Sequence, residues 1–179
     1  MIMPPRLRKF ALTAHVTTSV GWLGAATCFL ALSVIGLTSQ DPPTVRGVYL
    51  VMKPAAWLVL VPLALAALLT GLLQSVFTTW GLFRHYWVLF KLLINVVATV
   101  VLLQYMETFT VLAGVAADPR ADLASVRNAS PALHATLALL LLLVAVVLAI
   151  YKPRGMTRYG WRRQHDLRRR RNHAAVPAQ

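Results

Sequence analysis

Charged side chains are scarce in this chain. They make up 13% of its 179 residues, whereas hydrophobic residues make up 58%. A soluble domain carries about 25% charged and about 45–50% apolar residues. Too few polar side chains remain here to cover a surface in contact with water. The composition therefore excludes an ordinary soluble domain and indicates that much of the surface faces lipid.

Cysteine is almost absent as well. The single cysteine, Cys28, lies within an apolar run, which excludes an internal disulfide framework and a cysteine-based zinc site. The chain also lacks a phosphate-binding loop, a zinc-protease helix and a serine-nucleophile turn. No complete catalytic set is recognisable, so the sequence leaves open whether the protein is an enzyme.

The net charge of +13 resembles that of a nucleic-acid-binding protein, but its distribution does not. From Lys152 onward there are nine Lys or Arg residues against one Asp, so +8 of the charge lies in the tail. Basic residues beside a membrane surface attract anionic lipid head groups by about 1 kcal/mol each. Residues 152–179 are thus predicted to form a polybasic cytoplasmic tail that contacts anionic head groups, and no nucleic-acid partner is predicted.

Four apolar stretches are long enough to cross a bilayer. A transmembrane helix needs about 20 apolar residues to cross a hydrocarbon core of about 30 Å. Helices are expected because backbone groups in lipid must bond within their own segment. The first stretch is far longer than the apolar core of a signal peptide, so we expect it to be retained. Residues 1–151 are thus predicted to be an all-α, polytopic transmembrane four-helix bundle, with spans at about 10–37, 48–77, 86–115 and 131–151.

Basic residues flanking the spans predict the orientation of the bundle. Arg6, Arg8 and Lys9 precede the first span, and Arg84 lies between the second and the third. Cytoplasmic loops carry the excess of Lys and Arg, so both termini are predicted to be cytoplasmic. The composition, rich in alanine and arginine, indicates a bacterial plasma membrane. On the opposite side three arginines are matched by three aspartates: Arg46, Arg120, Arg127, Asp41, Asp118 and Asp122.

Five ionisable residues lie inside the predicted spans: His15, Lys53, Lys91, Glu107 and His134. A charged group near the centre of a bilayer costs about 2.5–3.5 kcal/mol on insertion scales and usually faces the protein interior. At 1.5 Å per residue, His15 and Lys91 lie about 7–8 Å from the cytoplasmic boundary. Lys53 and His134 lie at a similar depth from the outer boundary, with Glu107 somewhat deeper. The five residues therefore form two layers.

The cytoplasmic layer combines polar residues on two helices. His15, Ser19 and Trp22 share one face of the first span, and Lys91 and Asn95 are spaced by one helical turn in the third. These faces are predicted to line one polar pocket. An alternative for Lys91 is that its long stem carries the ammonium group to the head groups.

The outer layer permits two interpretations. Lys53 and Glu107 are predicted to form a structural ion pair, although the Lys53 stem can also reach the head groups. His134, near a helix start, could bond a loop carbonyl. Thioether and imidazole groups suit Cu(I), and Met52, Met106 and His134 occur at similar depth, so copper handling is an alternative function.

A strip of small side chains in the first span favours close approach of another helix. The strip consists of Gly21, Gly24, Ala25 and Cys28. It supports a third hypothesis, in which the protein is a non-catalytic scaffold that forms a homo-oligomer or binds a membrane partner protein.

Three segments resemble known membrane proteins. The run from His15 to Gly24, with Trp22 seven residues after the histidine, is similar to the first helix of HemJ-type protoporphyrinogen oxidases. The segment from Trp87 to Leu93, with its Lys-Leu pair, resembles their third helix, and residues 151–153 resemble their Lys-Pro ending. The sequence departs from that pattern at Met106, where those proteins carry a histidine.

The overall layout is also that of the copper-resistance-D membrane proteins. Through the stretch at residues 81–87, Gly-Leu-Phe-Arg-His-Tyr-Trp, the chain most resembles an uncharacterised bacterial four-span integral membrane family. This resemblance covers nearly the whole chain, as far as about residue 163.

The resemblance to HemJ implies that His15 is an axial ligand of b-type haem. It also implies that Lys91 lies near a propionate or the substrate, with Trp22 and Asn95 in the same haem pocket. His15 and His134 are expected in opposite leaflets, separated by about 15–20 Å in a core of about 30 Å. They cannot ligate one iron, so a haem on His15 needs another ligand or an open position. The sequence thus predicts an integral membrane protein of undefined activity, with haem-binding redox function ranked first.

Overall fold

The computed structural model of the protein describes residues 4–77, 82–153 and 155–165, and within these ranges the secondary structure is helical, without strands. A π-helical segment at Ala56–Leu60 joins the second and third helices into one continuous span. This segment lies between Pro54 and Pro62, which lack the amide hydrogen needed for regular helix bonds. The five α-helices are α1 (Pro5–Thr38), α2 (Pro42–Ala55), α3 (Val61–Phe77), α4 (Tyr86–Ala117) and α5 (Ser130–Tyr151).

The prediction of four spans is confirmed, because the described chain has four helices long and apolar enough to cross a membrane. The protein is therefore a multi-pass membrane protein. The helices extend beyond the predicted spans, most clearly at the second one, where the helix begins at Pro42 and the span was predicted from about residue 48. The Asp41 carboxylate caps this helix by accepting from the Thr44 amide at 3.1 Å, and proline is favoured in the first helical turn.

The four spans form a bundle in which α1 and α4 each pack against both the α2–α3 span and α5. α1 packs against α3, α5 and α2, and α4 packs against α2, α5 and α3. The order around the bundle is therefore α1, the α2–α3 span, α4 and α5. We call the end at which α1 begins and α5 finishes the termini side, and the opposite end the loop side.

The largest fully buried side chains lie between α1, α2 and α4 toward the loop side. Tyr49 and Met52 are both only 1% exposed. The Phe29 and Phe109 rings meet edge to face, with their centroids 5.6 Å apart. This geometry is one that aromatic pairs favour. The core therefore fixes α1, α2 and α4 against one another, while α5 packs mainly on α1 and α4.

Arg46 closes the loop side of the bundle. Its guanidinium donates to four backbone carbonyl oxygens at the end of α4 and in the following turn: Ala116 (3.1 Å), Asp118 (2.5 Å), Pro119 (3.2 Å) and Ala121 (3.2 Å). The last carbonyls of a helix lack partners within the helix, and arginine offers five N–H donors in a fixed plane. Arg46 thus ties the end of α4 to α2.

On the termini side, the start of the tail docks against the connection between α3 and α4. The Thr157 amide donates to the Arg84 carbonyl at 3.0 Å, and the Thr157 hydroxyl donates to the Phe83 carbonyl. The same hydroxyl accepts from the Gly160 amide at 3.1 Å, which caps a short helical segment at residues 158–165. Of the predicted polybasic tail, residues 154 and 166–179 lie outside the described ranges.

Gly36 gives a direct test of the α1–α2 packing. A Cβ atom at Gly36 would lie 3.0 Å from both Cζ and the hydroxyl oxygen of Tyr49. Gly36→Ala should therefore lower the free energy of unfolding by about 1–3 kcal/mol, because the buried ring must shift. The melting temperature of the detergent-solubilised protein should therefore fall by at least about 2 °C.

The matched control for Gly36→Ala is Gly24→Ala, in the same helix. No atom lies within 4 Å of a Cβ at Gly24, and alanine favours a helix over glycine by up to about 1 kcal/mol. The control should therefore melt at the same temperature as the parent or higher. Equal melting temperatures for the two variants would contradict the predicted steric role of Gly36.

Candidate functional site

His15 lies in α1 and bonds to a threonine of α3. Its Nδ1 is 3.1 Å from the Thr70 hydroxyl oxygen, which in turn lies 2.6 Å from the Ala66 carbonyl oxygen. A hydroxyl has one hydrogen to donate, and the short contact to the Ala66 carbonyl uses it. Thr70 therefore accepts from the His15 Nδ1–H group. This leaves His15 Nε2 as the nitrogen that carries the lone pair.

A glycine provides the space that this imidazole needs. A Cβ atom at Gly71 would lie 2.9 Å from His15 Cε1 and 3.4 Å from His15 Nδ1. The imidazole therefore lies directly against the α3 backbone at this position. Thr70 and Gly71 together fix both the orientation and the tautomer of His15.

His15 lines a cavity of about 470 Å³ on the termini-side half of the bundle, which we call the His15 cavity. The three other residues predicted for the haem pocket, Trp22, Lys91 and Asn95, line the same cavity. The structure thus brings together, from α1 and α4, the residues that the sequence grouped by depth and helical spacing. Pockets for cofactors and small molecules commonly measure about 300–1,000 Å³.

The lining of the His15 cavity is basic. Lys91 from α4 and Lys152 from the end of α5 join His15 along it, and none of the residues placed along it is acidic. The Asn95 side chain donates to the Lys91 carbonyl at 2.7 Å, within α4. Such a lining suits a ligand that carries negative charge.

Lys152 has an unusual backbone conformation. It ends α5 with φ 44° and ψ 63°, in the left-handed region where a helix commonly ends on glycine. For a residue with a Cβ atom this conformation costs about 1–2 kcal/mol. A lysine is therefore held here against its backbone preference, at a position whose side chain lines the His15 cavity.

The His15 cavity opens between α1 and α5. On its rim Leu12, Val20 and Ile150 are 53%, 63% and 67% exposed. Apolar side chains this exposed on a membrane-spanning helix face lipid. The His15 cavity is therefore open toward the bilayer.

His134 lies near the start of α5, in the other half of the bundle. Its Nδ1 is 2.9 Å from the Ser130 carbonyl oxygen, which can only accept, so Nδ1 carries the hydrogen. The ring stacks on Tyr105 at a centroid distance of 4.2 Å, and the Tyr105 hydroxyl bonds the Ser130 hydroxyl at 2.8 Å. The carbonyl bond suggested by the sequence is thus present, but its acceptor belongs to the first turn of α5 rather than to a loop.

His134 lines a second cavity, of about 340 Å³, which we call the His134 cavity. Trp22 is 3% exposed and lines both cavities, so its side chain separates them. Along α5, Leu141 lines one cavity and Leu142 the other. His15 lies about seven residues from Trp22 along α1, and His134 lies about seven residues from Leu141 along α5. At 1.5 Å per residue, the two histidines are about 20 Å apart along the bundle. The two histidines therefore belong to separate sites.

The chain matches no family model, no curated protein and no solved structure. The resemblance to HemJ-type and copper-resistance-D proteins therefore stays a prediction.

The residues considered for copper do not converge on one cavity. Met52 and Met106 are 1% and 4% exposed and belong to the hydrophobic core, and neither lines the His134 cavity. Within the described ranges, no three His, Cys, Asp or Glu side chains are grouped as metal ligands.

The predicted ion pair between Lys53 and Glu107 is not formed among the described residues. Lys53 is half-buried, while Glu107 is exposed on α4. The buried face of α4 at this level carries Met106 and Phe109 instead. The prediction placed the two residues at a similar depth. Glu107, however, lies on the exposed face of α4 and not on the buried face that carries Met106 and Phe109.

Several site residues were not anticipated from the sequence. Thr70 and Gly71 position His15, Tyr105 stacks on His134, and Lys152 adds a cation to the His15 cavity. Thr70 and Gly71 interrupt an otherwise apolar stretch, and this interruption was the one weak indication in the sequence that they have a special role. Lys152 was noted only as part of a Lys-Pro ending and of the basic tail.

Proposed function

We propose that this protein is a membrane redox protein that binds haem b in the His15 cavity, with His15 Nε2 as an axial ligand. The observation that carries the proposal is the bond between His15 Nδ1 and the Thr70 hydroxyl at 3.1 Å. Histidines that ligate a metal usually donate the other ring N–H to an acceptor, which fixes the tautomer and the ring orientation. Thr70 is suited to this role.

The residues along the cavity fit a haem in three further respects. The volume of about 470 Å³ lies within the range of cofactor pockets. Trp22 supplies an aromatic wall, and Lys91 and Lys152 supply cations for carboxylate groups. When bound, haem supplies a one-electron redox centre.

Among the described residues along this cavity, His15 is the sole one with an imidazole or a sulfur atom. His15 would therefore hold the haem iron, and Lys91 and Lys152 would contact its carboxylates. The rim between α1 and α5 would give the bound group access to small molecules dissolved in the bilayer.

We further propose that both termini are cytoplasmic, in a bacterial plasma membrane. Support comes from the excess of Lys and Arg on the termini side. The His15 cavity would then lie in the cytoplasmic half of the bilayer. The basic residues after Lys152 would face anionic head groups of that leaflet.

Absorption spectroscopy of the detergent-extracted protein tests the haem proposal. Protein produced with adequate haem supply, or titrated with haemin after extraction, should show a Soret band. His15→Ala should remove the band, because the ligand nitrogen is lost. Thr70→Val should weaken haem affinity by about 10- to 100-fold, since loss of a residue that orients a ligand commonly has this effect.

His134→Ala is the matched control, because His134 lies in the other cavity. This variant should keep the Soret band of the parent protein. A parent protein that shows no Soret band under either condition would overturn the proposal. So would a His15→Ala variant with an unchanged spectrum.

A further inference from the structure

We infer that the His134 cavity is a second binding site, for a neutral lipophilic molecule with a phenol-type hydroxyl group that enters from the bilayer. The inference is independent of the proposed haem site, because the two cavities lie in different halves of the bundle and meet only at Trp22. Its support comes from the apolar lining, the hydrogen-bonding state of His134 and the position of the opening.

The lining of the His134 cavity suits an apolar ring. Small side chains of α4 and α5, Ala98, Ala135 and Ala138, leave the space, and the rings of Trp22 and Phe109 form its walls. Aromatic rings favour stacked or edge-to-face contacts with other rings. Among the described residues, no Asp, Glu, Lys or Arg lies along the cavity, so a charged ligand would find no counter-ion among them and a neutral one is favoured.

The hydrogen bonds around His134 specify what the ligand must offer. Nδ1–H donates to the Ser130 carbonyl at 2.9 Å, and the Tyr105 hydroxyl bonds Ser130 Oγ at 2.8 Å. Of the two ring nitrogens, Nε2 is therefore the one left for a ligand, and it can only accept. A ligand with a hydroxyl donor satisfies this nitrogen, whereas its methyl ether does not.

The opening of the cavity indicates where the ligand comes from. On its rim Val101 of α4 and Leu137 of α5 are 41% and 50% exposed. These apolar side chains face lipid in a spanning bundle. The cavity thus opens between α4 and α5 into the bilayer, the phase in which a lipophilic phenol accumulates.

Fluorescence quenching of the full chain in lipid nanodiscs tests this site. The probes are a brominated alkylphenol and its methyl ether, because bromine quenches a nearby indole and the ether carries a methyl group in place of the hydrogen that the phenol can donate. The phenol should quench Trp22 fluorescence saturably, with an affinity about 3- to 10-fold higher than that of the ether, the range expected for one net hydrogen bond. His134→Leu should lower the affinity for the phenol to that for the ether.

Two further variants separate binding in the cavity from partitioning into lipid. Ala138→Phe fills the cavity and should abolish saturable quenching by both probes, while Leu140→Phe, at a position 55% exposed to lipid, should leave it unchanged. Trp22→Phe removes the reporter and should remove the saturable component. Folding of each variant is checked by gel filtration and circular dichroism.

Either of two outcomes would overturn the inference. The first is quenching by the phenol that does not saturate or that persists in Ala138→Phe. The second is equal affinity for phenol and ether in the parent protein, which would remove the role of His134 as acceptor. Neither result bears on the Soret band that depends on His15, so this inference and the proposed function can fail separately.

Discussion

Arg46→Met should lower the melting temperature of the detergent-solubilised protein by about 5–10 °C, equivalent to about 2–3 kcal/mol for a chain of this size. Arg46 donates to the carbonyls of Ala116, Asp118, Pro119 and Ala121. Hydrogen bonds to a charged donor are stronger than neutral ones, and carbonyls left without a partner at a buried helix end are costly. Water reaches the exposed part of this turn and reduces the loss, which is why the expected effect is smaller than the sum of the individual bonds.

Two variants determine whether the fixed plane of the guanidinium matters. Arg46→Lys keeps the charge, but an ammonium group is a point donor that cannot span the same set of carbonyls. It should therefore recover less than half of the lost stability. Arg120→Met changes the same residue type at an exposed position of the same turn and should shift the melting temperature by about 2 °C or less. Equal melting of Arg46→Met and Arg120→Met would disprove the predicted role of Arg46.

Gly160→Ala should release the docked start of the tail. A Cβ atom at Gly160 would lie 2.5 Å from the Arg84 carbonyl oxygen and 3.2 Å from Arg84 Cα. These are backbone atoms that cannot rotate away, so the segment must move and give up the bonds made by Thr157. Losing two hydrogen bonds of about 1 kcal/mol each raises the open population by roughly 30-fold.

Limited trypsin digestion followed by mass spectrometry measures this release. Cleavage after Arg158 and Arg162 should become at least about 10-fold faster in Gly160→Ala, because cleavage follows the open population when opening is fast. Gly155→Ala is the matched control, since its Cβ would meet only Tyr86 Cδ2 at an ordinary 3.6 Å. Identical cleavage rates in the two variants would show that this segment is not docked as described.

The number and helical nature of the spans followed from the sequence, because bilayer thickness sets a length that apolar stretches must meet. The positions at which the helices begin and end were less predictable from the sequence. Asp41 and Pro42 together start the second span several residues before the apolar run begins. Capping acts through local hydrogen bonds that a count of apolar residues does not register.

The grouping of His15, Trp22, Lys91 and Asn95 also followed from the sequence, because depth and helical spacing place residues on a layer and on a face. The same reasoning paired Lys53 with Glu107, but Glu107 is exposed on α4 while Lys53 is half-buried. Depth was the only information that linked these two residues, and no second residue on either helix indicated which faces met. Agreement in both depth and face was therefore needed to predict a shared cavity.

The interactions that orient the histidines could not be predicted from the sequence. Thr70 bonds His15 across 55 positions of the chain, and Arg46 bonds the turn after α4 across more than 70. Such pairs depend on how neighbouring helices rotate about their axes, which packing of the whole bundle decides. From the sequence, Arg46 was predicted to act only in the charge balance between the two sides of the membrane.

Trp22 belongs to the walls of both cavities. A substitution at this position would therefore change the walls of two separate spaces at once, so that an effect on a ligand in one half of the bundle would be accompanied by an effect in the other half.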